Sequence, residues 1–311
     1  MKRKYLTIAA LAAIVAGCSS DEALTPQVDN LKDTPITVSA GVEGMKTRAG
    51  YGTDATDDTQ SVLPATFYLG IDQTGDDYDY PNMLMTKAEE GNAYTPESQL
   101  LWASGTENAT VTAATFPLDG AQTLTVLADQ STAEGVTGSD HLLMTGKAVA
   151  PSAEGISVEF SHLMSKVLLT ITLGDEFNEA ENPFRDVTFK GTVASNSYTA
   201  GTGWAEIAAD ATATDITPLC NAYTAPATNK PNATAGYEVV LLPQTVAAGG
   251  FSVQFNVGDR MFKWTSASDV TLAGGYEYTL ALTAGKDKVT LGGITASKWT
   301  TSATGSDLKT E

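Results

Sequence analysis

Apolar residues alternate with polar ones along most of this chain, and nowhere for more than ten residues do they recur at helical spacing. In Ile36-Thr37-Val38-Ser39-Ala40-Gly41-Val42 the residues Ile36, Val38, Ala40 and Val42 share one phase. The same period of two runs through Phe67, Leu69 and Ile71, through Leu124 and Val126, through Ile156, Val158 and Phe160, and through Val187 and Phe189. A strand with one face buried requires this pattern, because successive side chains point to opposite faces. The plainest case is Phe251-Ser252-Val253-Gln254-Phe255-Asn256-Val257, then Gly258-Asp259, then Arg260-Met261-Phe262-Lys263-Trp264. Two turn residues between alternating runs predict a tight hairpin.

Turn-forming clusters separate the runs at residues 54–58, 75–79, 135–140, 201–203 and 248–250 and at Gly274-Gly275. Short, numerous strands joined by irregular loops predict an all-β fold built from two tandem antiparallel β-sandwich domains rather than barrels. The acidic, unpatterned stretch at residues 174–183 is the expected boundary, which places one sandwich at 34–174 and the other at 184–300, with a polar tail at 301–311. Val158, Phe160, His162 and Met164 keep one phase, whereas Val167, Leu169, Ile171 and Leu173 keep the other. The buried face therefore switches near Ser165, which predicts a bulge or a kink between two strands.

The chain opens differently. Lys2, Arg3 and Lys4 precede an apolar run of eleven residues, 6–16, and Val15-Ala16-Gly17-Cys18 puts small residues directly before a cysteine. A membrane span needs about 20 apolar residues, so residues 1–17 read as a secretory signal. The ending resembles a bacterial lipoprotein box, which implies cleavage before Cys18 and lipid on that cysteine. Residues 18–33 are polar and acidic and are expected to be a flexible tether. Acidic residues at this place resemble an export signal to the cell surface in Bacteroidetes.

Removing the signal leaves 294 residues, takes away three of 18 basic residues and none of 37 acidic ones, and moves the net charge from −19 to −22. Such a surface repels nucleic acid, and no nucleic-acid partner is expected. Beyond Cys18 the one cysteine is Cys220, so no intramolecular disulfide can form, and Cys220 reads as a small buried hydrophobe. His141 and His162 are the two histidines, too few for a His-rich metal site, and no nucleophile motif is present. Asp72, Asp76, Asp77 and Asp79 crowd one loop without the spacing of an EF-hand, and read as solvated. No metal, no cofactor and no catalytic residue is assigned, although a glycosidase pair among so many carboxylates has no sequence mark by which to find it.

Phe160-Ser161-His162-Leu163-Met164-Ser165-Lys166-Val167 resembles the F-x-H-x-M-[SA]-K-[VL] signature of the fimbrillin family of Bacteroidetes, whose members are pilus subunits. Three later segments are similar to that family as well: Val240-Leu241-Leu242-Pro243-Gln244, the run from Leu272 through Gly275 and Tyr278 to Leu280, and the closing run from Ile294 to Trp299. The resemblance implies two transthyretin-like sandwiches, no enzymatic activity, a lipid anchor in the outer membrane and a place in the fimbrium. Its implied partners are other fimbrial subunits and a host or bacterial surface receptor. Lys46-Thr47-Arg48-Ala49-Gly50 is similar to the place where an Arg-specific protease cuts fimbrillins, which makes Arg48 and Ala49 the expected processing site and 36–42 the released strand. Arg48 also fits an ordinary basic loop residue. His162 and Lys166 read better as groups satisfying backbone atoms at the kink than as a site.

Residues 300–311 carry almost no alternating apolar residues, so a donor strand is either residues 289–299 or absent, and an absent donor favours a tip subunit over a stalk. The competing function is a monomeric surface lipoprotein that binds glycans through Trp102, Trp204, Trp264 or Trp299. Exposed, paired tryptophans would favour it and core positions would count against it.

Overall fold

The computed structural model describes residues 31–42, 63–177, 180–228, 232–285 and 288–299. The strands of the first half are β1 (Val38–Val42), β2 (Thr66–Asp72), β3 (Tyr80–Lys87), β4 (Ala93–Pro96), β5 (Ala109–Ala114), β6 (Ala121–Thr125), β7 (Leu142–Val149) and β8 (Ile156–His162). Then come β9 (Ser165–Leu173), β10 (Phe184–Thr192), β11 (Ser195–Thr199), β12 (Gly203–Trp204), β13 (Thr214–Ile216) and β14 (Leu219–Thr224). The chain closes with β15 (Thr234–Leu241), β16 (Gln244–Val246), β17 (Ser252–Val257), β18 (Arg260–Thr265), β19 (Val270–Leu272), β20 (Tyr276–Ala284) and β21 (Val289–Lys298). The expected all-β, sandwich-like architecture is present.

Two features of the pairing correct that expectation: one sheet closes into a barrel, where sandwiches rather than barrels are expected, and two contacts are parallel instead of antiparallel. Seven strands of the first half form one ladder in the order β1-β4-β3-β2-β5-β7-β8 that closes on itself, because β8 pairs with β1. That contact is parallel, as is the contact of β9 with β20. In the second half a five-stranded sheet, β14-β15-β9-β20-β21, and a four-stranded sheet, β13-β10-β17-β18, contribute to one apolar core with smaller sheets beside them. The predicted hairpin is β17–β18, with Val257 opposite Arg260 and Gly258 at φ 58 supplying the left-handed turn residue.

Packing divides the chain at a different place from the acidic stretch at 174–183. Phe160 belongs to the first core, whereas Met164 and all of the inward residues of β9 belong to the second. The phase switch lies at Leu163 and Met164, between β8 and β9, where the chain passes from one core to the next. Phe160, Met164, Val167, Leu169 and Ile171 are all buried, as their alternation predicts. The chain also crosses earlier. After β5 it supplies Phe116, Leu124 and Val126 to the second core, pairs β6 with β11, and forms the short helix α1 (Ala133–Ser139) before returning at β7. Residues 135–140 read as a turn cluster; the Thr132 side chain capping Gly135 N–H and the buried Val136 make 135–139 part of a seven-residue helix instead. Gln130 fastens the excursion, since its buried amide donates to Val240 O and accepts from Val240 N, both at 2.8 Å.

Candidate functional site: the seat of the first strand

β1 lies between β8 and β4. All five of its residues pair in parallel with β8, Val38 with Ile156 through Val42 with Phe160, while only Val38 and Ser39 pair with β4. Ile36, Val38, Ala40 and Val42 are each at most 5% exposed, so the side chains expected to share the buried phase do so. The chain just before β1 is stitched to another segment: Ile36 N–H donates to Leu100 O at 2.9 Å, Trp102 N–H to Thr34 O at 3.1 Å, and Asp33 N–H to Trp102 O at 2.9 Å.

The floor of the seat is aromatic. Phe67 meets Tyr94 edge-on at 4.7 Å between centroids and Phe160 at 5.2 Å. Tyr94 and Phe160 stand opposite Val38 and Val42 in the ladder. The Tyr94 hydroxyl donates to Pro64 O at 2.6 Å, and burial pushes its pKa up to about 12, so it stays neutral and holds that bond. Pro64 lies where the described chain resumes after residues 43–62.

Gly155 is the residue that sequence reading passed over. It sits at φ 80, and a Cβ on it would stand 2.1 Å from the carbonyl oxygen of Thr37. The next residue, Ile156, donates its N–H to that same oxygen at 2.8 Å. Only a glycine lets the β7–β8 connection approach the incoming strand so closely. Glu154-Gly155 is a turn signal of the same type as those noted at other positions, but what it approaches is decided by a residue more than a hundred positions away.

Cys18, Arg48 and Ala49 lie outside the described residues. The described chain leaves the barrel at Val42, the end of β1, and Arg48 follows six residues later.

His162 and Lys166, expected to satisfy backbone groups, meet side chains at the kink. His162 Nδ1 lies 2.9 and 3.0 Å from the two carboxylate oxygens of Asp140, and its ring stacks on Trp299 at 3.8 Å with 4° between planes. Lys166 Nζ is 3.3 Å from Glu277, 3.7 Å from Glu238 and 5.6 Å above the Trp299 ring. The family-like motif thus clamps the end of β21 at the junction of the two cores. Cys220 is exposed on β14, a correction to the buried position expected; partial burial of its thiol pushes the pKa up, outweighing the hydrogen bonds to Tyr237 and Ala222 that pull it down.

Asp72, Asp77 and Asp79 are exposed around a 3-10 turn, Asp76–Tyr78, and among the described residues no group of three or more His, Cys, Asp or Glu is placed to hold a metal. Trp102 is fully buried, Trp264 and Trp299 are 8% exposed, and Trp204 is half-buried against Tyr198. Core positions for Trp102, Trp264 and Trp299 count against the glycan-binding reading, which needs exposed, paired tryptophans. β21 is an edge strand with Leu291 and Ile294 about half exposed, at 46% and 45%.

The sequence matches the fimbrillin-like family from residue 47 to residue 299, and the chain belongs to that family. It is therefore a fimbrial subunit of the cell surface. Solved structures with a similar fold include a candidate cell adhesion protein of Bacteroides ovatus, at a TM-score of 0.61 and 16% identity, covering 87% of this chain and 99% of that one. A second candidate cell adhesion protein, from Bacteroides uniformis, gives 0.54 at 18% identity over 86% and 100% of the two chains. A fimbrial protein of Bacteroides vulgatus gives 0.51 at 15% identity over 85% and 100%. At these identities the likeness is one of fold. No curated protein matches the sequence significantly.

Proposed function

We propose that this chain is a fimbrial subunit exported as a surface lipoprotein, anchored in the outer membrane through lipid on Cys18, and that it assembles by strand exchange after cleavage at Arg48 frees β1. The observation that supports the reading most is the place of β1. It is the first strand among the described residues, it closes the ladder between β8 and β4, and its covalent link onward runs through the segment that contains Arg48. With the strand gone, β8 and β4 would have unpaired edges above Phe67, Tyr94 and Phe160, which is what addition of a strand from another subunit needs.

Burying Ile36, Val38, Ala40 and Val42 contributes on the order of 4 to 8 kcal/mol before ordering entropy is counted. A competing strand does not displace β1 while it remains tethered at high local concentration. Cleavage removes the tether, and a neighbour's strand buries the same surface in trans. The role is structural rather than enzymatic, and its partners are other subunits and, at a fibre tip, a surface receptor.

Arg48→Ala tests the trigger. The variant should accumulate as a lipidated monomer that forms no fibres, while wild-type protein released from the surface should begin at Ala49 on N-terminal sequencing. Normal fibres from Arg48→Ala would reject strand release at this site.

A further inference from the structure

Charge is unevenly divided along the chain. Residues 63–163 hold fourteen Asp and Glu against two lysines, Lys87 and Lys147, whereas residues 164–299 hold thirteen against nine Lys and Arg. The strand register concentrates part of that basic charge. On the outer face of the four-stranded sheet, Arg185 of β10, Asn256 of β17 and Met261 of β18 form one row, and Thr188, Gln254 and Lys263 form the next. Adjacent strands stand about 4.8 Å apart, so both rows fall within one small patch. Arg185 and Lys263 are exposed, and Met261, at 66%, is the most exposed large apolar residue among those described. Of the carboxylates bordering the patch, Asp215 pairs with Lys190 and Asp186 accepts from Asn256 Nδ2 at 2.8 Å, while Asp259 is exposed in the β17–β18 turn; the Arg185 guanidinium donates to the carbonyl oxygens of Asn182 and Phe184 at 2.8 and 2.7 Å and keeps its charge.

The first half has the opposite character at one end of its ladder. Asp72, Asp77, Asp79 and Glu107 are all exposed there, with Thr74 Oγ1 donating to Glu107 at 2.9 Å to hold the two segments together. We propose that the outer face of the β10–β17–β18 sheet, with Met261 between Arg185 and Lys263, docks the acidic end of the first ladder of a second copy of this chain. The two faces differ, so the contact is head-to-tail and leaves a free face on each copy, the arrangement that extends into a filament instead of closing as a dimer. Opposed charge also steers copies into register before any strand is exchanged. The proposal rests on the subunit reading above, and adds to it a contact that is independent of strand release.

The test uses the full chain carrying Cys18→Ser and Arg48→Ala, in which neither lipid nor strand release contributes, followed by sedimentation velocity over a concentration series. Weak self-association is expected in 50 mM NaCl, with Kd at least tenfold higher in 500 mM. Reversing one face, by Arg185→Glu with Lys263→Glu or by Asp77→Lys with Asp79→Lys, should raise Kd at least tenfold at low salt. All four changes in one chain should bring association back to within about threefold of the parent. A parent that stays monomeric at low salt, or a fourfold variant that associates no better than the single-face variants, would overturn the docking contact. Either result leaves the cleavage test at Arg48 standing by itself.

Discussion

At the scale of single residues, backbone approach and desolvation decide more than side-chain identity. Gly155→Ala would place a methyl group against Thr37 O in a left-handed conformation, two penalties that together cost about 3 kcal/mol. Urea unfolding should show that loss, and hydrogen exchange should show it first at Ile156 and Ala40, the amides that bond Thr37 O and Asn92 O. Glu238 makes the complementary case. Burial pushes its carboxyl pKa up, while Lys166 and Asn221 pull it down less strongly, and its Oε1 has no hydrogen-bond partner. The folded carboxyl thus holds its proton more tightly than the unfolded one. Its contribution to stability is complete below the ordinary carboxylate range and is lost as pH rises through the raised folded value. Glu238→Gln should therefore stabilise the protein by roughly 1 kcal/mol at pH 7.5, with Glu277 still beside Lys166, and the gain should vanish near pH 4. Urea midpoints at the two pH values check this; a large loss at pH 7.5 would show that the Lys166 pair outweighs desolvation.

At the scale of elements, β1 and β21 are opposites. β1 together with Ile36 just before it puts four side chains of one phase in the core, and β21 has Leu291 and Ile294 half in solvent on a sheet edge. A processed chain beginning at Ala49 should bind a synthetic peptide of residues 34–44, with labelled-peptide anisotropy rising on titration. Val38→Asp in the peptide should weaken binding by at least a hundredfold, because it drives a carboxylate into the seat above Tyr94. Equal binding of the two peptides would mean that the seat does not select apolar residues. Strands β1, β2, β6, β8, β9, β10, β17 and β18 were legible from alternation alone, since period two is a local property of the chain. The partners of β1 were not. A parallel contact with β8 joins residues more than a hundred positions apart, and nothing local encodes it.

At the scale of the whole molecule, the cationic head, the apolar run at 6–16 and the small residues before Cys18 carry the expectation of export and anchoring. Cys18→Ser should leave the precursor unlipidated and shift it from the membrane to the soluble fraction; fractionation with membranes at wild-type levels would reject the anchor.

The sequence by itself determined the strand-rich class, the β17–β18 hairpin, the buried phase of residues 36–42 and the phase switch before Ser165. Each of these is a matter of period or turn chemistry within a few residues. Tertiary structure decided the rest. The closed ladder, the crossing of β6 and α1 to the second core, the stacking of His162 on Trp299, and the need for glycine at 155 all depend on pairs of segments far apart in sequence. Alternation says which face of a strand is buried, but a backbone edge accepts any other edge. Which one it meets is settled only when the whole set of strands competes for the same core.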